Sequence, residues 1–355
     1  MNAPFPAPVA AIREARLDDP SERAAIAAFV ADHADGTPFH LAEWGMAVAA
    51  ATGNAAHVLL AEHDGGRIAG LLPLTAVRSP LFGRALVSAG FAVDGGILAH
   101  DAATVRGLAD AAWWLAARTR SPGVELRGGS CPGDEWTTDT TTYLGFVRDL
   151  AGDDEAELSA IPRKQRAEVR RSFGNSLEIV TGTSKRDLAE HYAVYAESVH
   201  NLGTPVFPRA LFREVIAAGL GDILTVRHEG RAVASVLSLY WNGTVYPYWG
   251  GGTAAARGLR ANDAMYFALM NHARRLGANR FDFGRSKAGT GAAAFKKNWG
   301  FEPRPLTYHR RTADGAAARE VNPLDPKYAR KIEMWKRLPL PIANLIGPFI
   351  ARGLG

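Results

Sequence analysis

The stretch 246-YPYWGGGTAAARGLRANDAMYFALMNHARRLGANRFDFGRSKAGTGAAAFKKNWG-300 decides how this chain is read. It opens as a strand ending in aromatics and runs into a glycine-rich loop with Arg257 and Arg260. A helical pattern follows over Ala261–Leu276, then a short strand at Arg280–Phe283 continuing into Gly284-Arg285-Ser286-Lys287. A second glycine-rich turn leads into a helix over Ala292–Asn298, which carries Phe295 and Lys296. Backbone N–H groups at a helix start and nearby cations attract negative charge. Two such loops in one stretch point to an anionic or activated substrate.

Working outward, the same kinds of element precede this stretch. Residues 162–172 (PRKQRAEVRRS) read as a basic helix and Leu177–Thr181 as a strand. Helices are predicted over Asp187–Val199 and Pro208–Ala218. Ile223–His228 and Arg231–Tyr240 form a hairpin about Glu229-Gly230, and Asn242-Gly243 turns the chain into a strand from Thr244 to Trp249. Leu306–Arg310 reads as a last strand.

In the first half, residues 1–20 are rich in Pro and Ala and are expected to be loosely ordered, with an edge strand at Ala11–Arg16. Ser21 is placed to cap a helix to Asp32, and Leu41–Thr52 reads as another. His57–His63 and Arg67–Val77 form a hairpin about Asp64-Gly65-Gly66. Leu86–Ser88 and Gly96–Ala99 read as short strands. Asp101 caps a helix over Ala102–Arg120, and Gly123–Arg127 is a strand.

The halves resemble each other. His63–Leu74 (HDGGRIAGLLPL) matches His228–Leu239 (HEGRAVASVLSL). Val124–Gly129 falls where Arg280–Ser286 sits later, and Leu144–Leu150 matches Trp299–Leu306. A nearly constant offset is what a duplication predicts. The chain is therefore expected to be an α/β (α+β) protein of two tandem domains, at 1–150 and 151–315, with a tail at 316–355. The second copy carries the cationic, glycine-rich chemistry, so the first is expected to be structural or to serve the acceptor.

Composition sets outer bounds. At 355 residues, 47% hydrophobic and 22% charged, the chain is an ordinary globular one. One cysteine, Cys131, excludes an intramolecular disulfide framework and a multi-cysteine zinc site. The net charge of +5 favours phosphate-bearing or membrane-surface partners only weakly. The N-terminus lacks the basic-then-apolar order of a signal peptide. A cytoplasmic protein is expected. The tail, KIEMWKRLPLPIANLIGPFIARGLG, is too short and broken to span a bilayer. It either lies at a membrane surface, peripheral to the inner membrane, or packs back onto the first domain.

The doubled element order and the run FDFGRSKAGTGAAAFKKNWGFEPRPL resemble the FemAB family, in its branch found with exosortase/PEP-CTERM systems. That family is similar to the broader BioF2-like acetyltransferase domain group. The resemblance covers about Phe39 to Arg311. It implies two tandem acyl-CoA N-acyltransferase (GNAT)-like domains and an acyltransferase activity. It also implies an acceptor amine on a cell-envelope or exopolysaccharide precursor, small or lipid-linked. FKKNWG resembles the family's reaction-centre motif and implicates Lys296. FDFGRS resembles its strand end, at Asp282, Gly284 and Arg285. The basic helix, with Arg163, Lys164, Arg166, Arg170 and Arg171, resembles the opening of the family's second domain. No stretch reads as the long helical arm of some Fem ligases. Acyl-CoA and aminoacyl-tRNA both stay open as the donor cosubstrate, with no tightly bound cofactor and no metal expected.

Residue roles follow as expectations. Lys296 would steady an oxyanion, and Asp282 would take the amine proton or orient the acceptor. Arg257, Gly258, Arg260 and Asn262 would bind the phosphates of the donor. Tyr248, Trp249, Arg285, Lys287 and His200 would contact the acceptor. Each has a plainer alternative: a surface lysine at 296, a turn-capping aspartate at 282, a solvated loop at 257–262 and core filling at Tyr248 and Trp249. Two rivals remain open at this level. One is an acyl-CoA-dependent N- or O-acyltransferase acting on a sugar. The other is a catalytically silent protein that only binds an envelope precursor.

Overall fold

The computed structural model describes residues 11–316 and 326–355. The expected loose order of the N-terminus lies, for residues 1–10, outside the described residues, as does 317–325 of the tail. The described chain divides into two compact units. One comprises residues up to Asp139 with the segment from Thr307 and the last three residues. The other comprises Thr140–Leu306 and the tail to Arg352.

The first unit contains β1 (Ala11–Glu14), α1 (Pro20–Asp32), α2 (Ala42–Thr52), β2 (Ala55–Glu62), β3 (Ile68–Ser79), β4 (Gly83–Ser88), β5 (Leu98–Ala99), α3 (Ala102–Arg118), β6 (Gly123–Arg127) and β7 (Thr137–Asp139). Its sheet runs β1-β2-β3-β4-β6, then the distant strand Tyr308–Thr312, then β7. Gly65 and Gly66 both take positive φ in the β2–β3 turn, which is why the sequence needs glycine there. α3 buries Val105, Leu108, Ala112 and Leu115 at helical spacing against Leu72, Leu86 and Val124 of the sheet. Asp19, not Ser21, caps α1: the helix begins at Pro20, which fits its first position, so Ser21 lies inside the first turn and its N–H donates to the Asp19 carboxylate.

The second unit contains β8 (Tyr143–Asp149), α4 (Asp154–Ala160), α5 (Arg163–Ser172), β9 (Leu177–Gly182), α6 (Lys185–Asn201), α7 (Arg209–Ala217), β10 (Gly221–His228), β11 (Arg231–Trp241), β12 (Thr244–Gly252), α8 (Ala256–Leu259), α9 (Ala261–Arg275), β13 (Arg280–Asp282), β14 (Ser286–Lys287), α10 (Gly291–Asn298) and β15 (Pro303–Pro305). The strand Tyr308–Thr312 is β16, and the tail forms α11 (Pro326–Lys336) and α12 (Leu340–Ala351). The second sheet runs β14-β8-β13-β12-β11-β10-β9, with β15 on β8. Met265 and Leu269 of α9 pack on Val226, Val236 and Phe281 of this sheet.

Both sheets share one plan. Four antiparallel strands (β1 to β4; β9 to β12) are followed by a parallel neighbour (β6; β13) and an antiparallel closing strand. The repeat seen in the sequence is thus a repeat of topology. The closing strands are exchanged, however. Tyr143–Asp149, at the end of the sequence's first half, closes the second sheet, and β16 closes the first. The expected boundary at Leu150 accordingly falls after Asp139 instead. The reason is visible in β8. Phe146 is fully buried in the second unit's core, and Arg148 pairs with the buried carboxylate of Glu157 while lying over the Phe301 ring.

The exchange can be tested on fragments. Residues 11–150 alone lack β16, which pairs with β6 over five residues and with β7 over three. That fragment is expected to lose cooperative urea unfolding, and adding residues 307–316 through a flexible linker should restore it. Cooperative unfolding of the bare fragment would show that the exchanged strand is dispensable.

Candidate active site

β12 and β13 run parallel for two residue pairs, Thr244 with Arg280 and Val245 with Phe281. β13 then ends at Asp282, whereas β12 continues beside β11 as far as Gly252. The two strands part, and a parallel pair that parts in an otherwise antiparallel sheet leaves a crevice. A groove of about 540 Å³ lies at the end of β12. Its walls are Ser198, Asn201 and Leu202 at the end of α6, the backbone of Gly251 and Gly252, and Arg257 with Asn262 beyond. Tyr266 and Phe295 also line it.

The glycines are there because the walls nearly touch. A Cβ on Gly251 would fall 2.2 Å from Ser198 Oγ, and one on Gly252 would fall 2.7 Å from Asn262 Oδ1. Asn262 Oδ1 is buried and has no hydrogen-bond partner. An orphan acceptor of this kind costs free energy unless a ligand or water completes it. Arg257 is exposed on α8, and neighbouring Gly258 is open to solvent. Arg260 turns the other way. It takes a left-handed conformation (φ 55°), donates to Arg257 O at 2.7 Å, and pairs with Glu168 of α5 at 2.5 Å. The loop therefore offers Arg257 and Asn262 to the groove and spends Arg260 on holding the α8–α9 corner. α9 starts with no side-chain cap.

Lys296 and Asp282 form a second cluster. Lys296 is half-buried on α10, while Lys297 beside it is exposed. Lys296 Nζ donates to the carbonyls of Gly284 at 3.1 Å and Arg285 at 2.9 Å, and lies over the rings of Phe146 and Phe283. Burial lowers its pKa to about 8, aided by Arg285 and opposed by the charge of Asp282. Asp282 caps the turn that follows β13, accepting from the Gly284 N–H at 2.8 Å. Burial pushes its carboxyl up to about 6, against the pull of that hydrogen bond, Lys296 and Arg280. The two groups are thus drawn toward neutrality from opposite sides.

The remaining expected residues divide. Arg285 lies over the Tyr143 ring at 4.7 Å and Lys287 lies over the same ring at 5.7 Å, so both gather at β8. Trp249 is buried, packed edge-on against Phe207 and Phe212, with half-buried Tyr248 against it. Trp249 is core filling. His200 stands on α6, not in a loop, because the helix runs to Asn201. Its Nε2 is buried without a partner. Phe295 lines the groove, while its chain neighbour Lys296 does not. Nothing local in the chain marks Ser198, Tyr266 or Phe295 as groove residues. Tyr266 looks like one more apolar helix position, yet burial raises its phenol to about 12.

The comparisons with known proteins agree with this geometry. Residues 162–297 match the family model described as an acetyltransferase (GNAT) domain. That span takes in the groove, Asp282 and Lys296, so the second unit is an acyltransferase domain of the GNAT type. No curated protein matches the chain. Among solved structures, FemX is similar at a TM-score of 0.64 with 14% identity, over 81% of this chain and 95% of FemX. A tandem GNAT protein from the clavulanic acid biosynthesis pathway, solved without AcCoA, is similar at 0.54 with 14% identity, over 86% of this chain and all of that one. L-PGS from Bacillus licheniformis is similar at 0.53 with 14% identity, over 91% and 98%. The fold is a tandem GNAT fold, and the family match assigns the acyltransferase domain to its second unit.

The Asp282 pKa carries a stability signature. Its folded value is raised, so the native state holds the proton more tightly than the unfolded chain does. Asp282 stabilises the fold below its ordinary pKa of 3.8, and that contribution is lost as pH rises to about 6. Urea midpoints of the wild type and Asp282→Asn at the two ends of this window are expected to converge at the acid end. At the upper end the variant should be the more stable.

Proposed function

We propose that the second unit takes an acyl-CoA thioester into the groove at the end of β12 and passes the acyl group to an amine. The observation that carries this reading is the groove itself. Backbone from Gly251 and Gly252, the orphan Asn262 Oδ1 and the exposed Arg257 guanidinium converge on one crevice inside the region matched to the GNAT domain. The amides of a pantetheine arm would meet strand backbone and Asn262, and the pyrophosphate is assigned to Arg257, which lines the same groove.

The chemistry asks for two further groups. The amine nitrogen attacks the thioester carbonyl, a C–N bond forms, the C–S bond breaks to release CoA as its thiolate, and the proton lost by the nitrogen balances the one that converts that thiolate to the thiol. Asp282, with a pKa of about 6, is ionised at neutral pH and basic enough to accept the amine proton. An ammonium has three N–H donors. Lys296 commits two to the carbonyls of Gly284 and Arg285, and the third is assigned to the developing oxyanion, which requires the thioester carbonyl to reach past Phe295 from the groove to this second cluster. Arg285 and Lys287 are assigned to the acceptor. The resemblance to the FemAB family and its exosortase-linked branch supports a cell-envelope or exopolysaccharide precursor, small or lipid-linked, as the source of the amine.

Two measurements test the reading. Acetyl-CoA, longer acyl-CoAs and CoA are expected to raise the melting temperature of the wild type. A ligand at about a hundredfold excess over its Kd adds about 2.7 kcal/mol to stability. Arg257→Ala should abolish most of the shift. No shift with any CoA ester would overturn the donor assignment and leave aminoacyl-tRNA to be tried. With a donor and amine in hand, Lys296→Ala should lower kcat by roughly 100- to 1,000-fold while the melting curve of the free enzyme stays cooperative. Full activity of that variant would remove Lys296 from the mechanism.

A further inference from the structure

The tail helices carry a surface that the acyl-transfer chemistry does not use. α12 has no charged residue between Leu340 and Ala351. It packs with its small residues inward: Ala343, Gly347 and Ala351 are buried. Its large apolar side chains point out, with Leu345 70%, Phe349 65% and Ile342 47% exposed. A helix on a water-facing surface normally shows the reverse arrangement. Met334 of α11 is exposed as well, at 64%. Cations accompany these side chains. Arg330, Lys331, Lys336, Arg337 and Arg352 are all exposed, against a single acidic residue, Glu333, in the same span. Arg352 lies over the Phe349 ring at 5.5 Å, where an apolar side chain and a cation can enter one interface together.

The helices are fixed to the second unit. A Cβ on Gly203 would fall 2.4 Å from Ile332 and 3.1 Å from the Lys336 stem, and one on Gly347 would fall 3.1 Å from Val206 N. The segment they grip directly follows Asn201 and Leu202 of the groove wall. Among the described residues no helix is long and apolar enough to cross a membrane.

We propose that the outward face of α12, with these cations, docks on an anionic lipid surface. The charge decides the occupant. An exposed apolar helix face with a cation at its own end and four more exposed on and just after the preceding helix matches acyl chains beneath anionic headgroups, whereas a second copy of the same patch would set like charges against each other. Leu345, Phe349 and Ile342 would enter the headgroup–acyl boundary, with Lys336, Arg337 and Arg352 at the phosphates.

Co-sedimentation of the full chain with phosphatidylcholine vesicles, with and without phosphatidylglycerol, tests this. Wild type is expected to pellet with the anionic vesicles and to be released as salt is raised. Leu345→Glu with Phe349→Glu should lower partitioning at least about tenfold, with the melting temperature unchanged because both side chains are exposed. Lys336→Ala with Arg337→Ala should weaken binding to anionic vesicles and leave any binding to neutral ones unaltered. Arg257→Ala should bind vesicles as wild type does, which separates this surface from the donor groove. Failure to bind anionic vesicles, or equal binding by the Leu345/Phe349 variant, would overturn the proposal. So would a dimer in sedimentation velocity that the same variant disperses, which would make the face a self-association surface.

Discussion

Two rungs of parallel hydrogen bonding, Thr244 with Arg280 and Val245 with Phe281, are the constraint on which the second unit turns. They lock β13 beside β12 just long enough to bury Phe281 in the core, and then release it. Longer pairing would carry β13 alongside Gly250–Gly252 and fill the place where the groove now lies. Shorter pairing would leave Phe281 and Phe283 without the sheet that organises their contacts with Phe301. The first unit begins from the same parallel pair, Leu86 with Val124 and Val87 with Glu125. There the chain leaving β4 folds back over the strand ends. Arg127 donates to the carbonyls of Ala89 and Ala92, Tyr308 Oη donates to Val93 O, and Gly96 sits so close to Gly128 O that no side chain would fit. One topology gives an open crevice in one copy and a filled one in the other.

Buried charge follows the same division. In the first unit Glu125, though buried, is held at about 2 because Arg127 and Arg310 outweigh the cost of its burial. That carboxylate is neutralised and serves structure. In the second unit Asp282 and Lys296 are half-buried without such full compensation, and each is shifted toward its neutral form. Groups left near neutrality can exchange a proton with substrate near pH 7, and a fully paired one cannot. His191 makes the contrast from another side. It is fully buried among Tyr195 and Phe212, its ring is lowered to about 3, and it holds Ser235 in the core.

Much of this was legible in the amino-acid sequence, for local reasons. Glycine at 65 and 66, the Asn242-Gly243 turn and the Asp101 cap are decided by the φ angles and hydrogen bonds of a few adjacent residues, so these hairpins and the start of α3 follow from local sequence. The duplication was legible too, since repeated local patterns produce repeated elements. FKKNWG and FDFG marked the Lys296 and Asp282 cluster because both groups sit on short, recognisable runs that the fold brings together.

Other features were decided only by tertiary structure, because they depend on which distant residue arrives. Nothing local in Tyr143–Asp149 says that Phe146 and Arg148 find their partners in Phe281 and Glu157, yet that choice moves the strand from one sheet to the other. The equal-looking arginines at 257 and 260 separate because Glu168, on another helix, captures Arg260. Trp249 became core rather than pocket because Phe207 and Phe212 close over it. The sequence by itself determined the elements, their doubling and the two short runs that bring Lys296 and Asp282 together. Long-range packing decided which strand closes each sheet and which arginine faces the groove, since those outcomes are set by contacts between residues far apart in the chain.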